Sequence, residues 1–486
     1  MSQLRLGIGT PPPNPRHDAV RPRAPRTQTE LRPARTAPQA AHSTRHPEQP
    51  RNAAGAAGRL ERVKILVLGS GAREHAIILA LRSEEAEHEI FAAPGNAGIG
   101  HDAQLVALDA NDPAAVTNFA NENLVDLVVV GPEAPLVAGV ADALRERGIP
   151  VFGPGKAAAQ LEGSKTFAKR IMEAAGVPTG RAVRAHSRAE VEAAFDELGA
   201  PHVVKADGLA AGKGVIVTSD RDAALAHADE YLPSGAVLVE EFLSGPEVSL
   251  FFLSDGDHVL PLSPAQDYKR LLDGDEGPNT GGMGAYSPLP WLDGRFGSER
   301  EFVDLVTRDI AEPVIRQLDA EGTPFIGLLY AGLILTDDGV KVIEFNARFG
   351  DPETQVVLPR LVDPLSELLL AAASGHLEDL PLPAFATDVA VTVVLASEGY
   401  PASPVTGRAL TDLREAEAVD GVHLAHAATA ETDGGLVATG GRVLSVVGVG
   451  TTFVQARDRV YRALGAIGFE GGQHRTDIAA RVAEGL

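Results

Sequence analysis

The chain has 486 residues, which is enough for about three domains of ordinary size. It contains no cysteine, and no apolar run approaches the roughly 18 residues that cross a bilayer, so a disulfide-stapled secreted scaffold and a membrane protein are both excluded. The formal net charge of −23 argues against a general nucleic-acid binder, which needs a basic face. We therefore expect a multi-domain cytoplasmic protein with neither a nucleic-acid nor a membrane partner.

Residues 1–62 differ in composition from the rest of the chain. They carry 11 arginines against four acidic residues, with many prolines and few large apolar side chains. Such a segment cannot bury enough surface to offset its ordering entropy, so we expect it to be disordered. Two alternatives stay open. One is an Arg-rich transit peptide, although the prolines would break the amphipathic helix it needs; the other is a mis-assigned start, with translation beginning near Val63.

Residues 63–165 are typical of one open α/β domain. A continuous apolar run ends in Gly-Ser-Gly and is followed by an apolar helical stretch, which is the strand, turn and helix of a parallel α/β unit. Leu136, Val140 and Leu144 lie at helical spacing and predict a single helix before Gly148. The predicted strands are residues 63–68, 89–93, 124–130 and 151–152.

The rest of the chain predicts two further regions. Residues 166–380 suggest a two-part α+β region, in which a small subdomain at 185–253 follows a hinge-like break at Val177-Pro178. Residues 385–486 suggest a last, small α+β domain. The predicted strands are 202–206, 214–218, 236–241, 248–253, 327–335, 339–345, 390–396 and 442–449, and the clearest predicted helices are 188–198 and 453–464.

The turn after the first strand, Gly69-Ser70-Gly71-Ala72-Arg73-Glu74, predicts an anion site. Glu74 replaces the third glycine of a dinucleotide fingerprint, and no acidic residue closes the next strand, so a nicotinamide site is not expected. The backbone N–H groups beside Arg73 still suit a phosphate or a carboxylate, with a purely structural turn as the alternative. Turns around Asn96 and Glu133 lie at the same sheet edge, where each could equally be a turn or a ligand contact.

Two lysines predict a polyphosphate site. Lys205 ends an apolar strand, and residues 208–214 form a glycine-rich loop with Lys213 near its end. Such a loop can close over phosphates while Lys205 reaches in from the strand beneath. It is not a Walker loop, because the Ser or Thr is missing and a strand follows. About 25 residues on, Glu240 and Glu241 end another apolar strand, where a solvated edge would explain them equally well.

Glu344 and Asn346 predict a metal site. Residues two apart in a strand face the same side, so these side chains offer two hard oxygen ligands at one place, as Mg²⁺ prefers. Arg348 follows on the same parity and would place a cation beside a transferring phosphate. Asp351 and Glu353 add two carboxylates. An acidic turn without function is the alternative.

The order of these parts resembles that of the ATP-grasp ligases. Six segments are more closely similar to the phosphoribosylamine–glycine ligase family, and the resemblance covers essentially all of residues 63–486. Each segment alone is unspecific, whereas the combination is highly specific. The segments are Gly-Ser-Gly-Ala-Arg-Glu-His, Pro-Gly-Asn-Ala-Gly, Gly-Pro-Glu-Ala-Pro-Leu, Lys-Ala-Asp-Gly-Leu-Ala-Ala-Gly-Lys-Gly-Val, Gly-Pro-Asn-Thr-Gly-Gly-Met-Gly-Ala-Tyr-Ser-Pro and Glu-Phe-Asn-Ala-Arg-Phe-Gly-Asp-Pro-Glu-Thr-Gln.

The resemblance implies both a fold and a reaction. The fold is α/β, with an N-terminal open parallel, Rossmann-like domain, a two-part ATP-grasp domain and a small C-terminal α+β domain. The reaction joins glycine to 5-phosphoribosylamine with ATP and Mg²⁺ or Mn²⁺, giving glycinamide ribonucleotide, ADP and phosphate through a glycyl phosphate, in purine biosynthesis. We expect a monomer, with a dimer as the alternative.

The resemblance also implies residue roles. Catalysis is assigned to Arg348, Lys213 and Asp351, with Arg348 steadying the acyl phosphate, and the metal to Glu344 and Asn346. The adenine would be held by one carboxylate and the backbone of residues 240–243. The ATP contacts are Lys165, Lys205, Gly212, Lys213, Glu240, Glu241, Phe242, Leu243 and Glu247, the last on the ribose; the contacts to glycine or phosphoribosylamine are Gly71, Arg73, Asn96, Glu133, Asn279, Thr280, Gly281, Gly282, Arg348 and Asp351.

Three departures from the family pattern are visible. Tyr268 stands where His is expected, Ala347 stands where Cys is expected, and residues 325–335 lack the further metal-binding acid of many related ligases. Two other functions stay open. One is an ATP-grasp carboxylate–amine ligase that uses formate or bicarbonate, and the other is a nucleotide-binding regulatory protein without turnover.

Overall fold

The computed structural model describes residues 62–208 and 214–485. The segment predicted to be disordered, residues 1–62, therefore lies outside the described residues except for Arg62. The same holds for the predicted phosphate contacts Gly212 and Lys213.

The first part of the chain forms a parallel five-stranded sheet in the order β3-β2-β1-β4-β5. Its central strand β1 is almost entirely buried, as its continuous apolar sequence predicts. The single helix predicted across Leu136 and Val140 is two helices, because Gly139 takes a left-handed conformation with φ +89° and ends the first one. The elements are β1 (Lys64–Gly69), α1 (Ala72–Arg82), β2 (Glu89–Pro94), α2 (Ile99–Asp102), β3 (Gln104–Leu105), α3 (Pro113–Glu122), β4 (Leu127–Val130), α4 (Glu133–Ala138), α5 (Val140–Glu146) and β5 (Val151–Phe152).

A small antiparallel sheet, β6-β9-β7-β8, follows two connecting helices. Helices α8 and α9 pack on this sheet around Phe195 and Val204, which are fully buried. The elements are α6 (Gln160–Gly163), α7 (Lys165–Ala175), β6 (Ala182–Ala185), α8 (Arg188–Leu198), β7 (His202–Ala206), β8 (Val215–Thr218), α9 (Arg221–Tyr231) and β9 (Val237–Glu240).

A second antiparallel sheet, β11-β10-β16-β17, is built around the long, buried strand β16. The strand that carries Glu344 and Asn346, β17, lies at its edge. The elements are β10 (Glu247–Asp255), β11 (Val259–Pro261), β12 (Gln266–Asp267), β13 (Arg270–Leu272), β14 (Glu276–Asn279), β15 (Gly284–Ser287), α10 (Asp293–Phe296), α11 (Glu299–Val306), α12 (Glu312–Ala320), β16 (Ile326–Thr336), β17 (Gly339–Asn346), α13 (Thr354–Val357) and α14 (Leu365–Ser374).

The last sheet has the order β12-β15-β18-β22-β19 and is antiparallel. It takes β12 and β15 from the middle of the chain, so the segment between these strands, residues 268–283, is attached to the C-terminal sheet and is called the polar loop below. The predicted α/β fold class is confirmed. The remaining elements are β18 (Val389–Ala396), α15 (Leu413–Glu417), β19 (Val422–His426), β20 (Thr429–Thr432), β21 (Gly435–Ala438), β22 (Arg442–Gly450), α16 (Phe453–Ala466) and α17 (Ala480–Ala483).

Across residues 62–208 and 214–485, every helix is too short or too polar to span a bilayer.

Candidate functional site

Strand β17 presents the two predicted metal donors. Phe345 is fully buried in the core, and Glu344 and Asn346 flank it on the alternate positions, as strand periodicity requires. Glu344 is half-buried and Asn346 is buried. Among the described residues, the side-chain amide of Asn346 has no hydrogen-bond partner. The strand therefore keeps an amide oxygen uncommitted beside a carboxylate.

Helix α7 places Lys165 against this strand. The helix begins at Lys165 because Ser164 caps it, accepting a hydrogen bond from the backbone N–H of Phe167. Lys165 Nζ lies 3.3 Å from Glu344 Oε2. The positive charge of Lys165 is the main reason that the pKa of Glu344 falls to about 2, so this carboxylate is ionised at neutral pH. Burial lowers the pKa of Lys165, but Glu344 and Glu162 outweigh it and the net shift is upward.

A second charge cluster lies beside the first and is centred on Glu240. The Glu240 carboxylate is buried, and its Oε2 lies 3.0 Å from Lys205 Nζ and 3.2 Å from Lys169 Nζ. Lys205 also donates to the carbonyl of Ile343 in β17, at 3.2 Å. Burial lowers the pKa of Lys169. Three lysines therefore converge between α7, β7 and β17, and cations in this arrangement could contact a polyphosphate.

The predicted adenine hinge follows β9. Its two carboxylates both have protein partners: Glu240 contacts the lysines described above, and Glu241 Oε2 accepts from Arg181 Nε at 2.9 Å. Phe242 is exposed and Leu243 is half-buried, in a segment without regular structure. Glu247, the predicted ribose contact, pairs with Lys269 instead in this structure. The adenine and ribose assignments therefore stay predictions.

Arg348 is held by two carboxylates from the first part of the chain. Its Nη2 lies 3.0 Å from Glu162 Oε1 and its Nε lies 3.7 Å from Glu133 Oε2. Glu162 is buried, and its second oxygen accepts the backbone N–H of Ala347 at 2.8 Å. Burial lowers the pKa of Arg348, but Glu162 and Glu133 outweigh it, so the guanidinium stays charged. Glu162 thus fixes the backbone of the turn after β17 and also orients the Arg348 guanidinium.

The donor set at β17 fits a divalent cation. Hard carboxylate and amide oxygens are the ligands that Mg²⁺ and Mn²⁺ take. The described residues contain no group of three or more His, Asp or Glu side chains that could hold a metal without help. Glu344 and Asn346 thus suit an ion that completes its shell with phosphate oxygens and water.

The turn after β1 lies against the turn after β17. Glu74 is buried and accepts the backbone N–H of Gly71 at 2.5 Å and Arg73 Nε at 2.6 Å. Arg73 Nη1 also donates to the carbonyl of Phe349 at 3.3 Å. A Cβ on Gly71 would lie 4.0 Å from Asp351 Oδ2. The turn predicted to bind an anion therefore lies next to Asp351, the carboxylate predicted to contact the substrates.

Asn96 uses its whole side-chain amide for structure. Its Nδ2 donates to the carbonyls of Ser70, at 2.9 Å, and His426, at 2.7 Å, while its Oδ1 accepts the N–H of Ile99 at 2.9 Å. The side chain is buried. Asn96 therefore joins the first sheet to the last one, and its predicted contact to phosphoribosylamine is untested.

The loop that carries Asn279, Thr280, Gly281 and Gly282 packs against Asp351-Pro352. Gly282 has φ +106°, and a Cβ there would lie 2.4 Å from Pro352 Cδ. Asn279 Oδ1 accepts from Arg270 Nη1 at 3.3 Å, and Thr280 Oγ1 donates to the carbonyl of Lys269 at 2.8 Å. The loop and Asp351 thus form one surface facing the end of β17.

Sequence reasoning missed four charged residues around this site. Glu162 and Lys169 have no motif of their own. Lys269 stands in the Ala-Gln-Asp-Tyr-Lys-Arg segment, whose departure from the family pattern concerns Tyr268 and not the lysine. Arg442 lies at the start of β22, far along the chain, and only the fold brings it to Asp351.

Tyr268, which departs from the family pattern, has a structural partner in the C-terminal segment. Its Oη accepts the backbone N–H of Ala479 at 2.9 Å. The Arg475 guanidinium carbon lies 4.8 Å from the centre of its ring. A tyrosine here therefore serves to attach the polar loop to the end of the chain.

Comparisons with known proteins agree on one family. The chain matches the phosphoribosylglycinamide synthetase N domain at residues 63–162, the ATP-grasp (A) domain at 163–354 and the C domain at 390–481. It is 69% identical, over 422 residues, to the phosphoribosylamine–glycine ligase of Leifsonia xyli subsp. xyli, covering 86% of this chain and 100% of that protein. The Streptomyces coelicolor protein of the same name is 57% identical over 423 residues, covering 87% and 100%.

A solved structure is similar over the same region. The crystal structure of phosphoribosylamine–glycine ligase from Thermotoga maritima superposes with a TM-score of 0.71 at 33% sequence identity. The match covers 85% of this chain and 100% of that one.

Proposed function

This chain belongs to the phosphoribosylglycinamide synthetase family, and on that premise we propose which of its residues carry out the ligation of glycine to 5-phosphoribosylamine. The enzyme is an ATP-grasp ligase of purine biosynthesis. It consumes ATP and needs a divalent metal, for which we propose Mg²⁺ or Mn²⁺. The products are glycinamide ribonucleotide, ADP and phosphate.

One observation carries the assignment of the ATP end of the site. Lys165, Lys205 and Glu344 come from a helix and two strands that are distant in sequence, yet their charged groups converge at the edge of β17. Each of these charges costs desolvation energy when it is partly buried, and ion pairs with Glu344 and Glu240 offset that cost. The resulting pair of cations beside a carboxylate is an arrangement that suits a metal-bound polyphosphate. We propose that Lys165 and Lys205 contact the ATP phosphates.

Glu344 and Asn346 would hold the metal against these phosphates. Bound there, the ion would neutralise the charge of the phosphates and orient the γ-phosphate. Since the Glu344 carboxylate has a pKa of about 2, no proton has to leave it for metal binding.

The first chemical step joins glycine to the γ-phosphate. A glycine carboxylate oxygen forms a bond to phosphorus while the bond to the ADP oxygen breaks, giving glycyl phosphate and ADP. Lys165, Lys205 and Arg348 balance the negative charge on the transferring group. In the second step the amine nitrogen of phosphoribosylamine forms a bond to the glycyl carbonyl carbon while the bond from that carbon to the phosphate oxygen breaks. Inorganic phosphate leaves, and the proton lost from the amine passes to the phosphate or to water.

The acceptor substrates would lie between the turn after β1 and the turn after β17. On one side, Gly71 lies near Asp351 and Arg73 donates to the carbonyl of Phe349. On the other side, Gly282 packs against Pro352, next to Asp351. Helix α1 begins at Ala72, so its free N–H groups suit the phosphate of phosphoribosylamine. Glu133, whose Oε2 lies 3.7 Å from Arg348 Nε, would contact phosphoribosylamine beside the transferring group.

The reaction can be tested by measuring ADP release from the full chain. The assay contains ATP, Mg²⁺ and freshly generated phosphoribosylamine, with and without glycine. We expect ADP release that depends on glycine, with an equal amount of glycinamide ribonucleotide by mass spectrometry. ADP release that depends on formate or bicarbonate, and not on glycine, would overturn the substrate assignment.

A further inference from the structure

Arg442 contacts both Gly281 and Asp351, two parts of the surface where glycine and phosphoribosylamine are proposed to bind. Its Nη1 donates to the carbonyl of Gly281, at 2.5 Å, and to the carbonyl of Asp351, at 2.9 Å. Its Nη2 donates to Asp351 Oδ2 at 3.0 Å. The residue belongs to β22 of the C-terminal sheet, 91 positions after Asp351. A single guanidinium thus joins the polar loop to the turn that follows β17.

The same sheet holds Asp351 from its other side. Gln355 Nε2 donates to Asp351 Oδ1 at 2.8 Å and to Ser445 Oγ, in β22, at 3.3 Å. Gln355 and Ser445 are both buried. Both oxygens of the Asp351 carboxylate are therefore oriented by groups anchored to β22, so this side chain has one defined direction.

The far end of the polar loop has a separate anchor. Arg475 is buried and donates to Asp275 Oδ1, at 2.8 Å, and to Asp477 Oδ1, at 2.7 Å. Thr476 N donates to Asp273 Oδ1 at 2.8 Å. The loop would thus remain attached without Arg442, and Gly281 would keep the hydrogen bond from its N–H to Tyr400 Oη, at 2.9 Å. The Gly281 carbonyl, however, would lose the donor that joins it to Asp351.

We propose that Arg442 is a positioning residue for the acceptor half of the reaction, setting Asp351 and the Gly281 turn in the geometry that glycine and phosphoribosylamine require. This inference rests on the proposed function. Within the described residues, Lys165, Lys205 and Glu344 form no hydrogen bond or ion pair with Arg442, so nucleotide binding should not depend on it.

The chemistry of the guanidinium explains why arginine is needed here. One planar group makes three hydrogen bonds in fixed directions, to two carbonyls and one carboxylate oxygen. A lysine would keep the charge but could not satisfy the three acceptors in the same geometry. A misplacement of about 1 Å at a reacting group can cost on the order of 10²-fold in rate.

The test uses full-length Arg442→Gln and Arg442→Lys proteins in the ADP-release assay, with each substrate varied in turn. We expect the KM for glycine, for phosphoribosylamine or for both to rise by about 10- to 100-fold in Arg442→Gln, and by less in Arg442→Lys. The KM for ATP should stay within about twofold. Arg459→Gln is the matched control, because Arg459 also donates to a backbone carbonyl of β22 and to an aspartate, Asp420.

A second measurement needs no variant. In the wild-type protein, the rate at which phenylglyoxal modifies Arg442, followed by mass spectrometry, should fall when glycine and phosphoribosylamine are added, but not with ATP alone. The inference is overturned if Arg442→Gln keeps the wild-type KM values, or if the KM values of all three substrates rise equally. If the variants do not fold, it is overturned when glycine and phosphoribosylamine leave the modification rate of Arg442 unchanged. If the wild-type protein itself shows no glycine dependence, the proposed function fails instead.

Discussion

Lys165 Nζ lies 3.3 Å from Glu344 Oε2, although 179 positions of sequence separate the two residues. The contact joins the first turn of α7, directly after the first domain, to the edge strand of the second sheet. A lysine proposed to hold ATP and a carboxylate proposed to hold the metal are therefore partners in one ion pair. Each fixes the position of the other at the edge of β17.

Glu344→Ala should abolish most turnover while leaving the fold intact. The side chain is only half-buried, so its removal leaves no large cavity, but the proposed metal loses its charged ligand. We expect kcat to fall by roughly 10² or more, the scale seen when a charge-stabilising group is lost. The measurement is ADP release over a titration of Mg²⁺ and of Mn²⁺. Glu321→Gln is the control, since Glu321 pairs with Arg170 elsewhere in the chain. Near-normal turnover at low metal concentration would contradict the metal assignment.

Asn96→Ala should lower stability more than substrate affinity. The three hydrogen bonds of this buried amide go to protein groups, so its loss leaves the carbonyls of Ser70 and His426 without their donor. We expect the free energy of unfolding to fall by about 1–3 kcal/mol, measured by urea titration. Asn121→Ala, on the exposed face of α3, is the control. A variant of unchanged stability with a raised KM for phosphoribosylamine would instead favour a direct substrate contact.

Gly282→Ala should impair the acceptor substrates selectively. The residue has φ +106°, and the new methyl group would lie 2.4 Å from Pro352 Cδ, so the loop must move away from Asp351. We expect kcat/KM for glycine to fall by about tenfold or more, with little change in the KM for ATP. Gly294→Ala is the matched control, because that glycine has no positive φ and no atom within 4 Å of the added Cβ. Equal losses in both variants would contradict the prediction.

Sequence periodicity was sufficient to predict the parts of the candidate site that lie within a single strand or at its end. The alternation around Phe345 placed Glu344 and Asn346 on one face, and the continuous apolar run of β1 placed the first turn at a sheet edge. The predicted strand at 124–130 begins later, at Leu127, because Leu124 is exposed and has φ 52°. The pattern of apolar residues alone does not show that one of them, here Leu124, has a backbone conformation that a strand cannot contain.

The groups that orient the site could not be found in this way. Glu162 reaches Ala347 across 185 positions of sequence, and Arg442 reaches Asp351 across 91. Neither residue stands in a pattern that its own neighbours explain. Such contacts depend on how separate sheets pack, which a single sequence does not specify locally.

Acid should destabilise the fold through His426. Burial, with a smaller effect of the nearby His75 and His101 that Asp102 partly opposes, lowers the pKa of His426 from 6.5 to about 4. Between about pH 6.5 and pH 4 the unfolded chain binds a proton there that the folded chain does not, so stability is lost as the pH falls through this range. The loss is on the order of 3 kcal/mol at pH 4, at about 1.4 kcal/mol for each pKa unit. Urea titrations at pH 7, 5.5 and 4 should show a steeper decline for the wild-type protein than for His426→Gln. His258→Gln, at a half-exposed position, should decline like the wild type, and parallel declines in all three proteins would refute the assignment.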